Sequence, residues 1–244
     1  KINKMNNNLI QYIYGIADNS LILGQRLGEL CGHGPSLETD IAMTNISLDL
    51  FGQVRSYFQY AAKLQGENVT EDTIAFLRKE REYKNVLLVE QPNVDFAYSI
   101  TRQFLFDVYH LLLLEELQNS KDEMLSAIAK KSIKEVSYHI RFSSDWIKRL
   151  GDGTEESHDR IQTAINDLWE FTDEFFHTTD ADKIMISEGI GVDVSLLKEP
   201  FYKKVNEILE EATIEIPKLQ YFQKGGKQGI HSEHMGYLLA QMQY

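Results

Sequence analysis

Apolar positions along this chain recur mostly at intervals of three and four residues, which is the period of amphipathic α-helices. Four long segments carry this period, approximately over residues 9–30, 36–64, 94–118 and 123–150. The four prolines lie at or near the expected ends of helical segments rather than inside them. The pattern therefore predicts an all-α chain with four long helices.

The breaks between these segments predict how the helices are connected. Gly32 to Pro35 ends the first helix and Gly66 ends the second, because glycine and proline do not readily continue a helix. Asn119 to Asp122 is a tight link, so the third and fourth helices are expected to be antiparallel neighbours. Further helical segments are expected at 71–88, from Thr154 to His177, from Pro200 to Ala212 and from Ser232 onward.

The sequence shows no internal repeat, low-complexity tract or change in composition that would separate two domains. We therefore expect residues 5–244 to form one helical bundle with additional helices. Residues 1–4 are interpreted as a remnant that precedes a native start at Met5.

Acidic residues on three of the long helices suggest a metal site that lacks some of its ligands. A di-iron centre in a four-helix bundle takes one carboxylate from each of two helices and a Glu-x-x-His pair from each of the other two. Asp49, Asp107 and Glu135 lie at similar distances from the connecting turns, so they are expected at similar depth inside the bundle.

The histidines do not complete this pattern. The second helix reads Asp49-Leu50-Phe51-Gly52, and the fourth has Tyr138 where histidine is needed, with His139 one position later and about 100° around the helix. His110 follows Asp107 at the right spacing, but on a helix that should supply only a carboxylate. We interpret these residues as a metal-free polar layer and assign no catalytic, cofactor-binding or metal residue. An altered ligand set of Asp49, Asp107, His110, Glu135 and His139 is the alternative.

Composition excludes several classes of function. The formal charge of −12 over 244 residues disfavours binding to nucleic acid or to an anionic membrane. No apolar run approaches the roughly 20 residues of a transmembrane helix, and no secretion signal is recognised. Cys31 is the single cysteine, is expected to be a small core residue, and fits a reducing compartment. A cytoplasmic location is therefore expected.

Five segments carry a resemblance to a known family, from Met5 to nearly the end of the chain. They resemble the C subunits of the bacterial ring-1,2-phenylacetyl-CoA epoxidases. The five segments are Leu23 to His33, Asn45 to Gln53, Leu87 to Asn93, Ile133 to Phe142 and Gly225 to Gly236. Because several ordered motifs agree at once, the assignment is stronger than any one of them.

The resemblance implies a ferritin-like subunit of a multicomponent oxygenase in aerobic phenylacetate catabolism. In that family the related A subunit holds the di-iron centre and epoxidises phenylacetyl-CoA, while a reductase supplies electrons from NADPH. This chain is then expected to be a noncatalytic structural subunit without a cofactor of its own. A self-contained di-iron oxidase or oxygenase is the alternative function, and a homodimer is the alternative assembly of the isolated chain.

Two segments near the C-terminus have alternative interpretations. The Lys224 to Gly229 segment could approach a phosphate of CoA through its backbone amides, or could make a tight connection to the last helix. His231 to His234 could bind a metal, or could be a helix cap or an interface network. We favour the structural interpretation of both.

Overall fold

The computed structural model describes residues 4–243, and the four long helices lie where the hydrophobic pattern predicts them. No strand occurs in this range, so the prediction of an all-α bundle with additional helices is confirmed. The helices are α1 (Lys4–Glu29), α2 (Leu37–Gln65), α3 (Glu71–Phe76), α4 (Phe96–Leu117), α5 (Glu123–Gly151), α6 (Glu155–Leu168), α7 (Asp180–Ser187), α8 (Lys198–Glu211) and α9 (Glu233–Met242). Residues 1–3 of the expected remnant and residue 244 of the expected domain lie outside the described residues.

Side-chain caps fix the starts of three long helices. Ser36, Asp95 and Asp122 precede α2, α4 and α5, and the side-chain oxygen of each accepts a hydrogen bond from the backbone amide three residues later. Such caps satisfy amides that have no partner inside the helix. Gly66 ends α2 with a φ of 109°, a conformation that glycine adopts without strain.

Helix α4 lies at the centre of the structure. Every residue from Ser99 to His110 is buried, so this helix contacts other elements on all sides. Helix α1 packs against α2, α4 packs against α5, and α6 and α8 cover α4 and α5. Helix α2 also contacts α5, and a groove of about 390 Å³ separates the two helices along part of their length.

The segment from 71 to 88 departs from the prediction of a continuous helix. Helix α3 ends at Phe76, and short 3₁₀ turns follow at 80–82 and 87–90. The amides of Lys84, Val86 and Leu87 donate hydrogen bonds to side chains from distant parts of the chain instead of to preceding carbonyls. These long-range bonds hold the segment in an irregular conformation against α1.

The region after α6 also differs from the prediction. The fifth predicted helix ends at Leu168, and 3₁₀ turns at 169–171 and 173–176 replace its second half. Glu174 is turned into the interior by these turns and is almost completely buried. Helix α7 was not predicted, and Thr179 begins it with a capping box.

Two smaller observations complete the fold. Cys31 is exposed rather than part of the core, because it lies in the turn that follows the end of α1. Across residues 4–243, no helix combines the length and apolar character that a bilayer crossing requires.

Candidate functional site

A layer of polar side chains lies between α2, α4 and α5 at the depth predicted from the sequence. We call it the central polar layer. Its members are Asp49 and Gln53 on α2, Gln103, Asp107 and His110 on α4, and Glu135, His139 and Ser143 on α5.

Asp107 is the most deeply buried acid of the central polar layer and is completely inaccessible to solvent. One carboxyl oxygen accepts a hydrogen bond of 2.6 Å from Gln103 Nε2, and the other accepts one of 2.7 Å from Ser143 Oγ. Burial raises the pKa of Asp107 to about 8, although the two hydrogen bonds act in the opposite direction. The carboxyl group is therefore mostly protonated at neutral pH.

Ser143 was not predicted from the sequence as a member of this layer. It lies four residues after His139, so both side chains are on the same face of α5. The sequence signal was the four-residue spacing, which places Ser143 on the same face of α5 as His139 and therefore within reach of an acid on α4.

His139 connects α5 to α2. Its Nε2 atom lies 3.0 Å from Asp49 Oδ2, while its Nδ1 atom is buried and has no partner among the described residues. Burial lowers the pKa of His139, and the neighbouring Asp49 carboxylate opposes this shift. The Asp49 side chain is 38% exposed, so this pair lies at the edge of the layer and not at its centre.

His110 is buried without any hydrogen bond to either ring nitrogen in the described part of the chain. Its ring lies 4.9 Å from the ring of Phe106, measured between centroids. Burial lowers the pKa of His110 to about 3, and the nearby His139 adds to this effect. The imidazole is therefore neutral at physiological pH, yet it lacks the partners that buried polar groups normally have.

Glu135 lies at the other edge of the layer. It is partly exposed, accepts a hydrogen bond of 3.0 Å from Gln53 Nε2, and lines the groove between α2 and α5. Asp49, Asp107 and Glu135, which the sequence places at similar depth, are bonded to different side chains. Each acid has its own partners, and none of the three bonds to another acid, to lysine or to arginine within residues 4–243.

These residues do not fit a di-iron centre. In the described range, no group of three or more His, Cys, Asp and Glu side chains is arranged to hold a metal ion. Gly52 stands where α2 should supply an imidazole, and Tyr138 on α5 is 39% exposed. Both oxygens of Asp107 are already engaged by neutral donors. We derive no metal chemistry from this layer, and the absence of bound iron stays a prediction.

The glycine-rich segment near the C-terminus is packed tightly against the rest of the protein. The amides of Gly225 and Lys227 donate hydrogen bonds to Glu174, so they are not free for a phosphate. Lys227 is buried, and its Nζ atom donates to the carbonyl oxygens of Phe175 and His177. These contacts support the structural interpretation of this segment.

The histidines that follow this segment have different environments. Both ring nitrogens of His231 are engaged, Nδ1 with Glu90 at 2.9 Å and Nε2 with the carbonyl oxygen of Tyr83 at 3.1 Å. The amide of Ser232, the residue before α9, donates to the second oxygen of Glu90. His234 is not part of this set, so these contacts form a network within the chain, and no metal-binding group is found here among the described residues.

Comparison with known proteins gives two findings. The sequence matches the family described as "Phenylacetic acid catabolic protein" over residues 1–244. It is also 49% identical over 238 residues to the C subunit of the 1,2-phenylacetyl-CoA epoxidase of Escherichia coli (strain K12). That alignment covers 98% of this chain and 96% of the relative. The resemblance inferred from the five sequence segments is confirmed.

Proposed function

The chain belongs to the phenylacetic acid catabolic protein family, and from this membership we propose that it is a noncatalytic structural subunit of a 1,2-phenylacetyl-CoA epoxidase. In this proposal the di-iron centre lies in a catalytic A subunit, which epoxidises the ring, and this chain supports it during aerobic phenylacetate catabolism. The ferritin-like fold expected of this family agrees with the helical bundle described above.

The observation that carries the noncatalytic part of the proposal is the environment of Asp107. A carboxylate that binds iron must be deprotonated and must present an oxygen to the metal. Both oxygens of Asp107 instead accept hydrogen bonds from Gln103 and Ser143, and no group of three or more metal-binding side chains is found in the described range. Each oxygen of the side chain at the centre of the layer therefore already has a hydrogen-bond donor within the protein.

The surface of the bundle supports a role in assembly. Leu37, Ile41 and Leu48 share one face of α2, spread over about 16 Å of its length, and are each at least half exposed. Met124 and Tyr138 are exposed on α5. Exposed apolar side chains grouped on helix faces are typical of surfaces that another protein covers. The A subunit is the partner that we propose for this surface, and a reductase is the source of electrons for the complex.

Reconstitution of the complex tests this proposal. Turnover of phenylacetyl-CoA is measured with Asp107→Asn or His139→Gln in this chain and normalised to the amount of intact complex between the A subunit and this chain. We expect turnover per complex to stay within about twofold of wild type, because neither side chain takes part in the reaction. The matched surface variant Leu48→Glu should lower the amount of complex while leaving turnover per complex unchanged.

Two results would contradict the noncatalytic role. One is a large loss of turnover in the Asp107 variant when the complex forms normally and the A subunit holds its full iron content. The other is oxygen-dependent turnover by this chain alone, which would support the alternative of a self-contained oxidase. A cytoplasmic location of the complex stays a prediction.

A further inference from the structure

A second polar site lies away from the central polar layer, in a cavity between α1, α4 and the start of α7. Its volume is about 160 Å³, and Ile16, Leu113 and Val194 form much of its apolar wall. Gly15 lies on the α1 side of the cavity, and a Cβ atom placed there would meet no atom within 4 Å. The missing side chain of this helical glycine therefore adds to the open space.

Two tyrosine hydroxyl groups on the cavity wall have unused hydrogen-bonding capacity. The hydroxyl of Tyr109 makes no hydrogen bond within residues 4–243, although the residue is only 3% exposed. The hydroxyl of Tyr12 accepts a bond of 3.0 Å from the amide of Val192, but its own proton has no acceptor in the same range. Burial raises the pKa of both phenols, so both remain protonated and can donate.

The charged groups of the wall add further donors. Lys84 uses one N–H group on a backbone carbonyl, so its ammonium group has further N–H groups left, whereas Lys227 uses two and burial lowers its pKa. Asp182 is the acidic residue on the wall, and one of its oxygens accepts the amide of Thr179 at 2.7 Å. Lys84 and Asp182 carry opposite charges, and the donors left on the wall are the phenols of Tyr12 and Tyr109 and the ammonium group of Lys84.

We propose that this cavity binds a small monocarboxylate whose apolar body is about the size of one aromatic ring. A carboxylate has acceptors only, so it complements the free O–H and N–H groups of Tyr12, Tyr109 and Lys84. The volume resembles that of an apolar cavity of about 150 Å³ that holds benzene. The apolar wall disfavours a strongly hydrated ion such as phosphate. This inference does not depend on the proposed role in the epoxidase.

Calorimetric titration of the full chain tests the ligand class with phenylacetate, its neutral analogue phenylacetamide and inorganic phosphate. We expect phenylacetate to bind with a Kd of about 1 mM or tighter and the amide to bind at least about tenfold more weakly. No binding of phenylacetate or of benzoate up to about 10 mM would overturn the proposal. Equal binding of acid and amide would also overturn it, as would binding of phosphate in preference to the organic acid.

Variants at the cavity locate the site. Gly15→Leu fills the open space and should abolish binding, and Tyr109→Phe removes one donor and should weaken binding by about tenfold. Gly52→Leu is the matched control, since Gly52 is also a helical glycine facing open space but lies on the exposed side of α2. The Gly52→Leu variant should bind phenylacetate with the same affinity as the wild-type protein.

Circular dichroism of each variant separates loss of binding from loss of fold. If Gly15→Leu does not fold, Gly15→Ala takes its place and should weaken binding while preserving the helix. Unchanged affinity in the folded Gly15 variant, or in Tyr109→Phe, would show that the ligand binds elsewhere and would refute the proposal.

Discussion

The protein contains two buried polar regions that differ in how completely their acids are bonded. The central polar layer holds Asp107, which receives two hydrogen bonds from neutral side chains. The second region, which we call the anchor network, is built on Asp18, Glu90 and Glu174 and connects the 78–93 segment and the C-terminal segment to the bundle. Each of its three acids accepts hydrogen bonds from three donor atoms.

The origin of the donors explains the difference. In the anchor network many donors are backbone amides of irregular segments. These amides have no carbonyl partner of the kind that a helix provides, so the carboxylates of the acids accept their hydrogen bonds instead. In the central polar layer the surrounding backbone is helical and already bonded, and only side chains can serve the acids. Five of its buried atoms have no partner in the described structure, namely Gln53 Oε1, Gln103 Oε1, both ring nitrogens of His110 and His139 Nδ1. In the anchor network Asn85 Oδ1 and Ser232 Oγ lack a partner among the described residues, but all three acids are bonded.

The two regions therefore hold their polar residues for different reasons. The anchor network stabilises the fold, because removing any of its acids would leave several buried donors unpaired. The central polar layer makes too few hydrogen bonds to be explained as a network that stabilises the fold. It lies between helices of the bundle, where four-helix bundles can carry metal ligands, and the prediction that it binds no metal stays a prediction.

The largest expected effect comes from breaking the anchor network at Arg78. This side chain is 9% exposed and forms a two-pronged ion pair with the fully buried Asp18. Replacing Arg78 with Met leaves the Asp18 carboxylate buried without its counterion, which should lower the free energy of unfolding by about 3–5 kcal/mol. Urea denaturation measures this loss.

The matched control for Arg78 is Arg160→Met on the surface. Arg160 is 54% exposed and pairs with Glu156 and Asp95, so its replacement should cost less than about 1 kcal/mol. Equal losses in the two variants would show that burial does not distinguish the two ion pairs.

Gly226→Ala should produce the next largest effect. A Cβ atom at Gly226 would clash with the carbonyl oxygen of Asn85, and a backbone atom cannot move aside as a flexible side chain can. We expect thermal unfolding to show a loss of about 2–3 kcal/mol. Gly52→Ala, where a Cβ meets open space, should instead stabilise the protein by up to about 1 kcal/mol. A neutral Gly226→Ala variant would argue against tight packing of this segment.

Asp107→Asn tests the central polar layer through its pH dependence. The pKa of Asp107 is about 8 in the folded protein and near 3.9 in an unfolded chain, so the folded state holds a proton that the unfolded state has lost. The contribution of Asp107 to the free energy of unfolding therefore falls as the pH rises from about 4 to about 8. The Asn variant lacks this dependence, and its stability relative to wild type should improve by about 2 kcal/mol between pH 5.5 and pH 7.5.

The measurement for this prediction is urea denaturation of both proteins at the two pH values. Ser143→Ala is a useful companion, because it removes one of the two donors without removing the carboxyl group. A constant difference between wild type and Asp107→Asn at both pH values would contradict a raised pKa.

The smallest effect is expected at His110, where a polar side chain makes no hydrogen bonds among the described residues. Replacing His110 with Leu removes two buried unpartnered nitrogens, so it should be neutral or stabilise the protein by up to about 1 kcal/mol. His231→Leu is the contrast, because both nitrogens of His231 are bonded and Glu90 would lose a donor. Thermal unfolding should show a clear loss for His231→Leu. If His110→Leu destabilises the protein as much, the two regions do not differ as proposed.

The sequence by itself determined the helical architecture and the gaps in the metal-ligand pattern. Apolar periodicity and capping residues act over a few positions, so the long helices and the depth of Asp49, Asp107 and Glu135 could be predicted from local patterns. The motifs also identified the family, because they are distributed along the whole chain that the family model matches.

The tertiary structure alone decided where these groups find partners. The amide of Leu87 bonds to Glu174, which is 87 positions away, and this contact replaces the helix that local periodicity predicts. Likewise, the distance from Asp107 to Ser143, the separate partners of Asp49 and Glu135, and the cavity beside Gly15 depend on how whole helices pack. Local spacing shows which face a side chain occupies, but the position of the facing helix determines what that side chain contacts.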